Sequence, residues 1–82
     1  METLEILSLG GNNISDINVF ANMHFKSLKK LYLEYNSIKD IKPLDLAKFD
    51  KLERLHLYPH SGQYETEKNL RNKIKDVCFH SD

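Results

Sequence analysis

The sequence predicts an α/β solenoid, in which stacked coils each contain one short parallel strand and one helical return segment. The pattern L-x-x-L-x-L-x-x-N-x-I-x-x-I begins at Leu4 and again at Leu28, 24 residues later. A third copy begins at Leu52 and stops matching after Leu57. Leucine alternates with another residue before each asparagine position, which is typical of a half-buried strand. Self-similarity at a fixed period of about 20 to 50 residues indicates a repeat architecture.

The strand segments of the three copies are Leu7–Leu9, Leu31–Leu33 and Leu55–Leu57. Each has one apolar face, and stacked copies form a parallel sheet with one strand per coil. Asn12 and Asn36 follow the first two strands at the same offset. Because an amide side chain both donates and accepts hydrogen bonds, we expect these asparagines to bond the turning backbone and tie one coil to the next.

The return segments carry apolar residues at steps of three, from Ile14 to Met23 and from Ile38 to Ala47. This spacing favours a 3₁₀-like or irregular helical segment over a regular α-helix. Pro43 fits the first turn of the second segment. Phe25 and Phe49 close the two copies at the same offset. Each coil is therefore expected to bury its apolar residues mainly against neighbouring coils.

These motifs resemble the leucine-rich repeat family, over about residues 4–57. The I-x-x-I continuation is similar to the subclass found in protein phosphatase regulatory subunits and bacterial internalins, which repeat at about 22 residues. Each return segment here is two residues longer than in that subclass. The resemblance implies a right-handed superhelix with its short parallel strands on the concave face.

The third copy departs from the pattern where Pro59 and His60 replace the turn and its asparagine, and Gly62 replaces the isoleucine. A different segment, 64–76, follows, with acidic residues early and basic residues late, as a helix dipole favours. Its apolar face comprises Leu70, Ile74 and Val77. We interpret this segment as a C-terminal capping helix, similar in placement to the cap of the phosphatase-regulator subclass.

The chain is expected to form a single leucine-rich repeat domain over residues 1–82. Its repeats cover about 4–27, 28–51 and 52–62, and the C-terminal cap covers 63–82. Val77 and Phe79 are expected to add a short extended segment near the end.

No comparable cap precedes the first repeat. We expect its edge to expose five apolar residues to water: Leu4, Leu7, Leu9, Ile14 and Ile17. Terminal repeats normally need a polar outer face. Three explanations stay open: a fragment of a longer repeat protein, self-association through the uncapped N-terminal edge, or a marginally stable natural domain.

The overall charge gives no sign of a nucleic-acid or membrane partner, since twelve basic residues balance twelve acidic ones. No apolar run approaches the roughly 20 residues that span a bilayer, and no signal peptide is visible after Met1. Cys78 is the single cysteine, which excludes an intrachain disulfide and fits a reducing, cytoplasmic location. Its neighbours Val77 and Phe79 favour a buried, apolar role for the thiol.

The outward positions of the strands define the candidate site. In the second and third copies these positions carry aromatic and charged residues, whereas the first copy has Ser8 and Gly10. Tyrosine and arginine are typical anchors of protein interfaces, although aromatic residues also suit a pleated strand surface. The expected partner-binding residues are Lys30, Tyr32, Glu34, Tyr35, Arg54, His56 and Tyr58.

We predict no catalytic, cofactor-binding or metal-binding residues. His56 and His60 are four apart outside any expected helix, and His24 and His80 are distant, so zinc-ligand spacing is lacking. The Gly10-Gly11-Asn12 run lacks the Lys-Ser/Thr and helix start of a phosphate loop. An enzyme is therefore not expected.

The sequence favours a protein–protein interaction module, a scaffold that binds a protein of unknown identity through its concave face. Two alternatives remain. The chain could be a regulatory or targeting subunit of an enzyme such as a phosphatase or ligase, as the family resemblance suggests. It could also be a structural fragment of a longer repeat protein.

Overall fold

The computed structural model describes residues 3–59 and 63–79 of the chain. Three helical segments lie in these residues: a 3₁₀ helix (Asn18–Asn22), α1 (Lys42–Leu46) and α2 (Tyr64–Lys73). The strands of the same residues are β1 (Ile6–Ser8), β2 (His24–Phe25), β3 (Lys30–Tyr32), β4 (Lys48–Phe49), β5 (Arg54–His56) and β6 (Asp76–Cys78). We call residues 4–27 coil 1, residues 28–51 coil 2 and the residues from 52 to 59 coil 3.

The main sheet has four parallel strands in the order β1-β3-β5-β6. Leu7 pairs with Leu31, Leu31 with Leu55, and Leu55 with Val77. The parallel sheet expected from the repeat is confirmed for the three copies. The extended segment expected near Val77 forms β6, a fourth strand that follows β5 at a spacing of 22 residues.

The core lies directly beneath this sheet, because the inward residue of each strand is a leucine or valine. Leu31 and Leu55 are fully buried, and Leu7 is half-buried at the edge. The expectation that Ile17 would be exposed with the first edge is wrong, since only 3% of it is accessible. The reason is that the 3₁₀ helix packs on α1 of the next coil and brings Ile17 inside.

Asn36 ties coil 1 to coil 2, as expected. Its Oδ1 accepts hydrogen bonds from the backbone N–H groups of Asn12 and Ile14, each at 2.9 Å. Its Nδ2 donates to the carbonyls of Leu9 at 2.9 Å and Leu33 at 3.1 Å. The Asn12 side chain is exposed and donates only to the Gly10 carbonyl, within its own turn. Of the two repeat asparagines, Asn36 therefore joins two coils, whereas Asn12 bonds within its own turn among the described residues.

The two return segments differ from each other. The first contains the 3₁₀ helix, as the steps of three predict. The second is a short α-helix, so the expectation of a non-α return is wrong there. Pro43 lies in its first turn, where a missing N–H is harmless, and its carbonyl accepts from Ala47 N at 2.9 Å.

A second sheet, not anticipated from the repeat, joins the ends of the return segments. Strands β2 and β4 pair in parallel and place Phe25 beside Phe49. The two rings stack with centroids 5.2 Å apart and an interplanar angle of 11°. Phe25 is fully buried. The phenylalanines thus stack one coil on the next through a sheet separate from that of the leucine strands.

Helix α2 begins at Tyr64 as expected but ends at Lys73, three residues before the expected end at Asp76. Ile74 is already extended because the chain turns there into β6, where the Asp76 N–H donates to the Glu53 carbonyl at 2.9 Å. Leu70 is buried in the common core. Met1, His60, Gly62 and His80, on which other sequence-based expectations rest, lie outside the described residues.

Candidate functional site

The strand register places four of the seven expected partner-binding residues on one face of the main sheet. Lys30 lies beside Arg54, and Tyr32 lies beside His56, in adjacent columns that run across the strands. All four are half-buried, with their backbones held between neighbouring strands. We call this surface the open face. The columns that the repeat predicts are therefore present in the structure.

Four rings form a continuous row on the open face, which we call the ring row (Tyr32, His56, Tyr58 and Tyr35). Tyr32 meets His56 edge-on, with ring centroids 5.2 Å apart and an angle of 81°. His56 and Tyr58 lie 5.8 Å apart. Tyr58 and Tyr35 meet edge-on at 5.4 Å and 86°. Edge-to-face geometry is the favoured contact between rings, so the row is preorganised without a ligand.

A basic flank borders the ring row. Arg54 Nε donates to Asp76 Oδ2 at 2.7 Å. The pKa of Arg54 is raised, first by a hydrogen bond to the Tyr32 side chain and then by the contacts with Asp76. The arginine therefore stays charged and holds Tyr32 beside it. A shallow hollow adjoins this pair, lined by Lys30, Glu53, Arg54, Lys75 and Asp76.

The Glu34 carboxylate lies across coil 1 at the other side of the ring row. A β-carbon on Gly10 would overlap Glu34 Oε1 and lie only 2.9 Å from its Cδ. The carboxylate can occupy this position because Gly10 has no side chain. Burial, followed by the Glu34 charge, raises the pKa of Tyr58.

Tyr35 holds a backbone conformation that normally belongs to glycine. Its φ is 56°, and Gly11, at the matching position in coil 1, has a φ of 71°. A bulky residue in the left-handed region is strained by about 1–2 kcal/mol. Tyr35 is nevertheless 63% exposed, so little burial offsets that strain. A strained, exposed aromatic at the end of the ring row is consistent with a binding role.

Sequence reasoning missed two residues of the open face, Asp76 and Cys78. Strand β6 places Asp76 beside Arg54 and Cys78 beside His56. The expectation that Cys78 is a buried apolar residue is wrong, because it is half-buried on the same side as His56 while Val77 points inward. The alternation of Asp76-Val77-Cys78 with a period of two was the signal that could have placed both.

The histidines are not gathered into a metal site within the described residues. His24 Nε2 lies 2.8 Å from Asp50 Oδ2, where it bridges coils 1 and 2 beside the second sheet. His56 belongs to the ring row. Residues 3–59 and 63–79 hold no group of three or more side chains that could coordinate a metal ion.

A family model described as "Leucine rich repeat" matches residues 2–58, which include the first two copies and the start of the third. The chain belongs to the leucine-rich repeat family. The solenoid-type fold of this family accounts for the parallel strands and for the return segments that connect them. Comparisons with curated proteins and with solved structures give no match.

Leucine-rich repeat domains generally mediate protein–protein interactions and are typically not enzymes. The last residue that the family model matches in this leucine-rich repeat domain is Tyr58, a member of the ring row. No helix in the described part of the chain is long and apolar enough to cross a bilayer.

Proposed function

We propose that the chain is a protein–protein interaction module that binds a protein partner through the concave face of a short solenoid. The binding residues are Lys30, Tyr32, Glu34, Tyr35, Arg54, His56 and Tyr58. The observation that carries this proposal is the ring row: four aromatic rings in mutual contact on the sheet face away from the core. Tyrosine gives a large contact area with few rotatable bonds, so a rigid row of rings favours tight association.

The charges around the ring row support binding to a specific surface. Arg54 is fixed by Asp76 and Tyr32 on one side, and Glu34 lies on Gly10 on the other side. Positive and negative groups on opposite sides orient a partner and exclude partners of the wrong charge pattern. The row also spans coils 2 and 3, so its geometry depends on the fold and on no single flexible loop.

Two further elements belong to the proposal. Helix α2 acts as the C-terminal cap: Leu70 covers the core, and Lys73 Nζ bonds Asp45 Oδ1 of coil 2 at 2.6 Å. At the other end Leu7 is only half-buried, and Ile6 is 54% exposed, so the β1 edge is the surface for self-association. A cytoplasmic location is proposed from the single cysteine alone.

The proposal is tested by replacing Tyr32 and Tyr58 together with alanine. Tagged wild-type and variant chains are used to capture proteins from cell extract, and captured proteins are quantified by mass spectrometry. We expect the double variant to keep its circular dichroism spectrum and lose the captured partner. The matched control is Tyr64→Ala, because Tyr64 is 75% exposed on α2 and lies outside the ring row.

Equal capture by the double variant and the wild type would refute the ring row as the binding surface. The identity of the captured protein separates two roles. A catalytic subunit of a phosphatase or ligase among the proteins lost by the double variant would indicate a regulatory or targeting subunit. Its absence from that set would favour a plain scaffold.

A further inference from the structure

We propose that the bound protein segment carries an arginine or lysine side chain that seats on the Glu34 carboxylate, in the notch above Gly10. This inference rests on the proposed function, because it names the chemistry of the partner at the same open face. It assigns Glu34 as the residue that selects the partner and Gly10 as the residue that positions Glu34.

The carboxylate is held at a defined place. The Glu34 backbone is fixed because its carbonyl accepts from the Gly11 N–H at 2.8 Å. The side chain then crosses from coil 2 onto coil 1, over the bare Cα of Gly10. Strand β1 ends at Ser8, and the residues at and after the notch, Gly10 and Gly11, have no side chains that could cover the carboxylate. The notch is open to a partner.

Among the described residues, Glu34 has no ionic partner, and it differs in this from two other acids near the sheet. Asp76 is paired with Arg54 at 2.7 Å. Glu5, at the start of coil 1, lies 3.9 Å from Lys29. No side-chain donor among residues 3–59 and 63–79 bonds the Glu34 carboxylate. A half-buried carboxylate is stabilised when a cation reaches it, so the vacant bonding positions favour a cationic group from outside.

The rings beside Glu34 add a second attraction for a cation. Tyr35 and Tyr58 meet edge-on at this end of the ring row, and Tyr35 is largely exposed. A guanidinium or ammonium group over a tyrosine ring is attracted by the negative face of the ring. Burial first, and then the Glu34 charge, raises the pKa of Tyr58 at this end of the row. Carboxylate and rings together therefore favour a basic side chain over an apolar one.

The distribution of basic residues around the notch also favours a cation there. Coil 1 has no Lys or Arg before Lys26. Lys30 is the nearest basic residue along the same extended segment. It precedes Glu34 by four residues, which corresponds to about 13 Å of strand. A cation that approaches the notch from the coil 1 side therefore meets no lysine or arginine that precedes Lys26. Electrostatic attraction of this kind raises association rates and excludes acidic competitors.

The test is a selection of random twelve-residue peptides displayed on phage against purified wild-type protein. The same library is selected against Glu34→Lys and against the control Glu65→Lys, which reverses an exposed acid of helix α2 outside the open face. We expect wild-type binders that depend on Tyr32 and Tyr58 to be enriched in Arg and Lys. Glu34→Lys should instead enrich Asp and Glu, and Glu65→Lys should behave as the wild type does.

A second measurement tests the positioning by Gly10 without a change of charge. Gly10→Ala introduces a β-carbon where the carboxylate lies, and the flexible Glu34 side chain must move away. We expect Gly10→Ala to leave the melting temperature nearly unchanged and to weaken a wild-type-selected basic peptide. Glu34→Gln should weaken the same peptide about tenfold, as the loss of one charge-assisted hydrogen bond does.

The outcomes separate this inference from the proposed function. Binders that require Tyr32 and Tyr58 but show no charge preference, and that bind Glu34→Gln as tightly as the wild type, would overturn the role of Glu34 while leaving the ring row intact. The absence of any binder dependent on the tyrosines would count against both. Selection of acidic peptides by the wild type would show a preference for the opposite charge and refute the proposal.

Discussion

Tyr35 occupies in coil 2 the left-handed backbone position that Gly11 occupies in coil 1, with φ values of 56° and 71°. The turn that follows each strand thus needs the same backbone shape in both coils, and only one of them uses the residue that adopts it without strain. The ring of Tyr35 contacts Tyr58 and is otherwise mostly exposed. Gly11 has the residue type that suits this backbone conformation, whereas Tyr35 has one that suits the proposed binding surface.

Tyr35→Gly is expected to keep or raise the stability of the domain and to weaken partner binding. Glycine relieves left-handed strain of about 1–2 kcal/mol, which offsets the lost ring contact and the entropy cost of glycine. Thermal unfolding followed by circular dichroism measures the first effect. Tyr35→Ala is the control: it removes the same ring but keeps the strain, so its melting temperature should be the lower of the two. Equal melting temperatures would contradict this account.

Asn36→Ala is expected to destabilise the domain far more than Asn12→Ala does. Asn36 bonds backbone groups of coil 1 and of its own turn through both amide atoms, and their loss should lower the unfolding free energy by about 2–4 kcal/mol. Asn12 is exposed and bonds only Gly10, so its loss should cost below about 0.5 kcal/mol. Urea unfolding of both variants measures the difference. Similar midpoints would show that the stability loss depends on the repeat position of the asparagine and not on its hydrogen bonds.

Phe25→Ala is expected to lower the unfolding free energy by about 3–5 kcal/mol, because it empties a fully buried site. Phe49→Ala should cost less, since Phe49 is half-buried at the same offset in coil 2. Urea unfolding compares the two. Should Phe25→Ala fail to fold, Phe25→Leu and Phe49→Leu give the same comparison with smaller cavities. A larger loss for Phe49 would contradict the observed packing.

The pH dependence of Tyr58 is expected to involve Glu34. Burial and then the Glu34 charge raise the pKa of Tyr58 above 10.0, so the folded state keeps this proton longer than the unfolded state does. The stabilising contribution is therefore complete below about pH 10 and is lost as the pH rises through the folded-state pKa. Glu34→Gln should move the pKa of Tyr58 back toward its ordinary value without removing the whole shift.

An NMR titration of the Tyr58 ring carbons in both proteins measures this shift. Tyr64, exposed on α2, is the internal reference in the same spectra. An identical Tyr58 pKa with and without the Glu34 charge would mean that the carboxylate lies farther from the ring than the structure places it.

The leucine spacing was enough to predict the parallel sheet, its register and the open-face columns. Stacking requires each copy to present the same backbone to the next, so a 24-residue repeat fixes which residues become neighbours, as with Tyr32 and His56. The sequence predicted an extended segment near Val77, but the spacing could not place it beside β5 as strand β6, because this segment lacks the leucine pattern and follows β5 by 22 residues. Cys78 was misplaced for that reason.

The sequence by itself determined that this chain is a leucine-rich repeat solenoid with an aromatic outward surface in its second and third copies. Buried positions repeat in the sequence. The hydrophobic effect that buries leucine against leucine is non-directional, so it does not depend on the exact side-chain geometry. Only the tertiary structure decided that Asn36 bonds between coils while Asn12 does not, and that Glu34 lies over Gly10. Both depend on side chains that reach from one coil to another, and such contacts are set by the neighbouring coil and not by the local pattern.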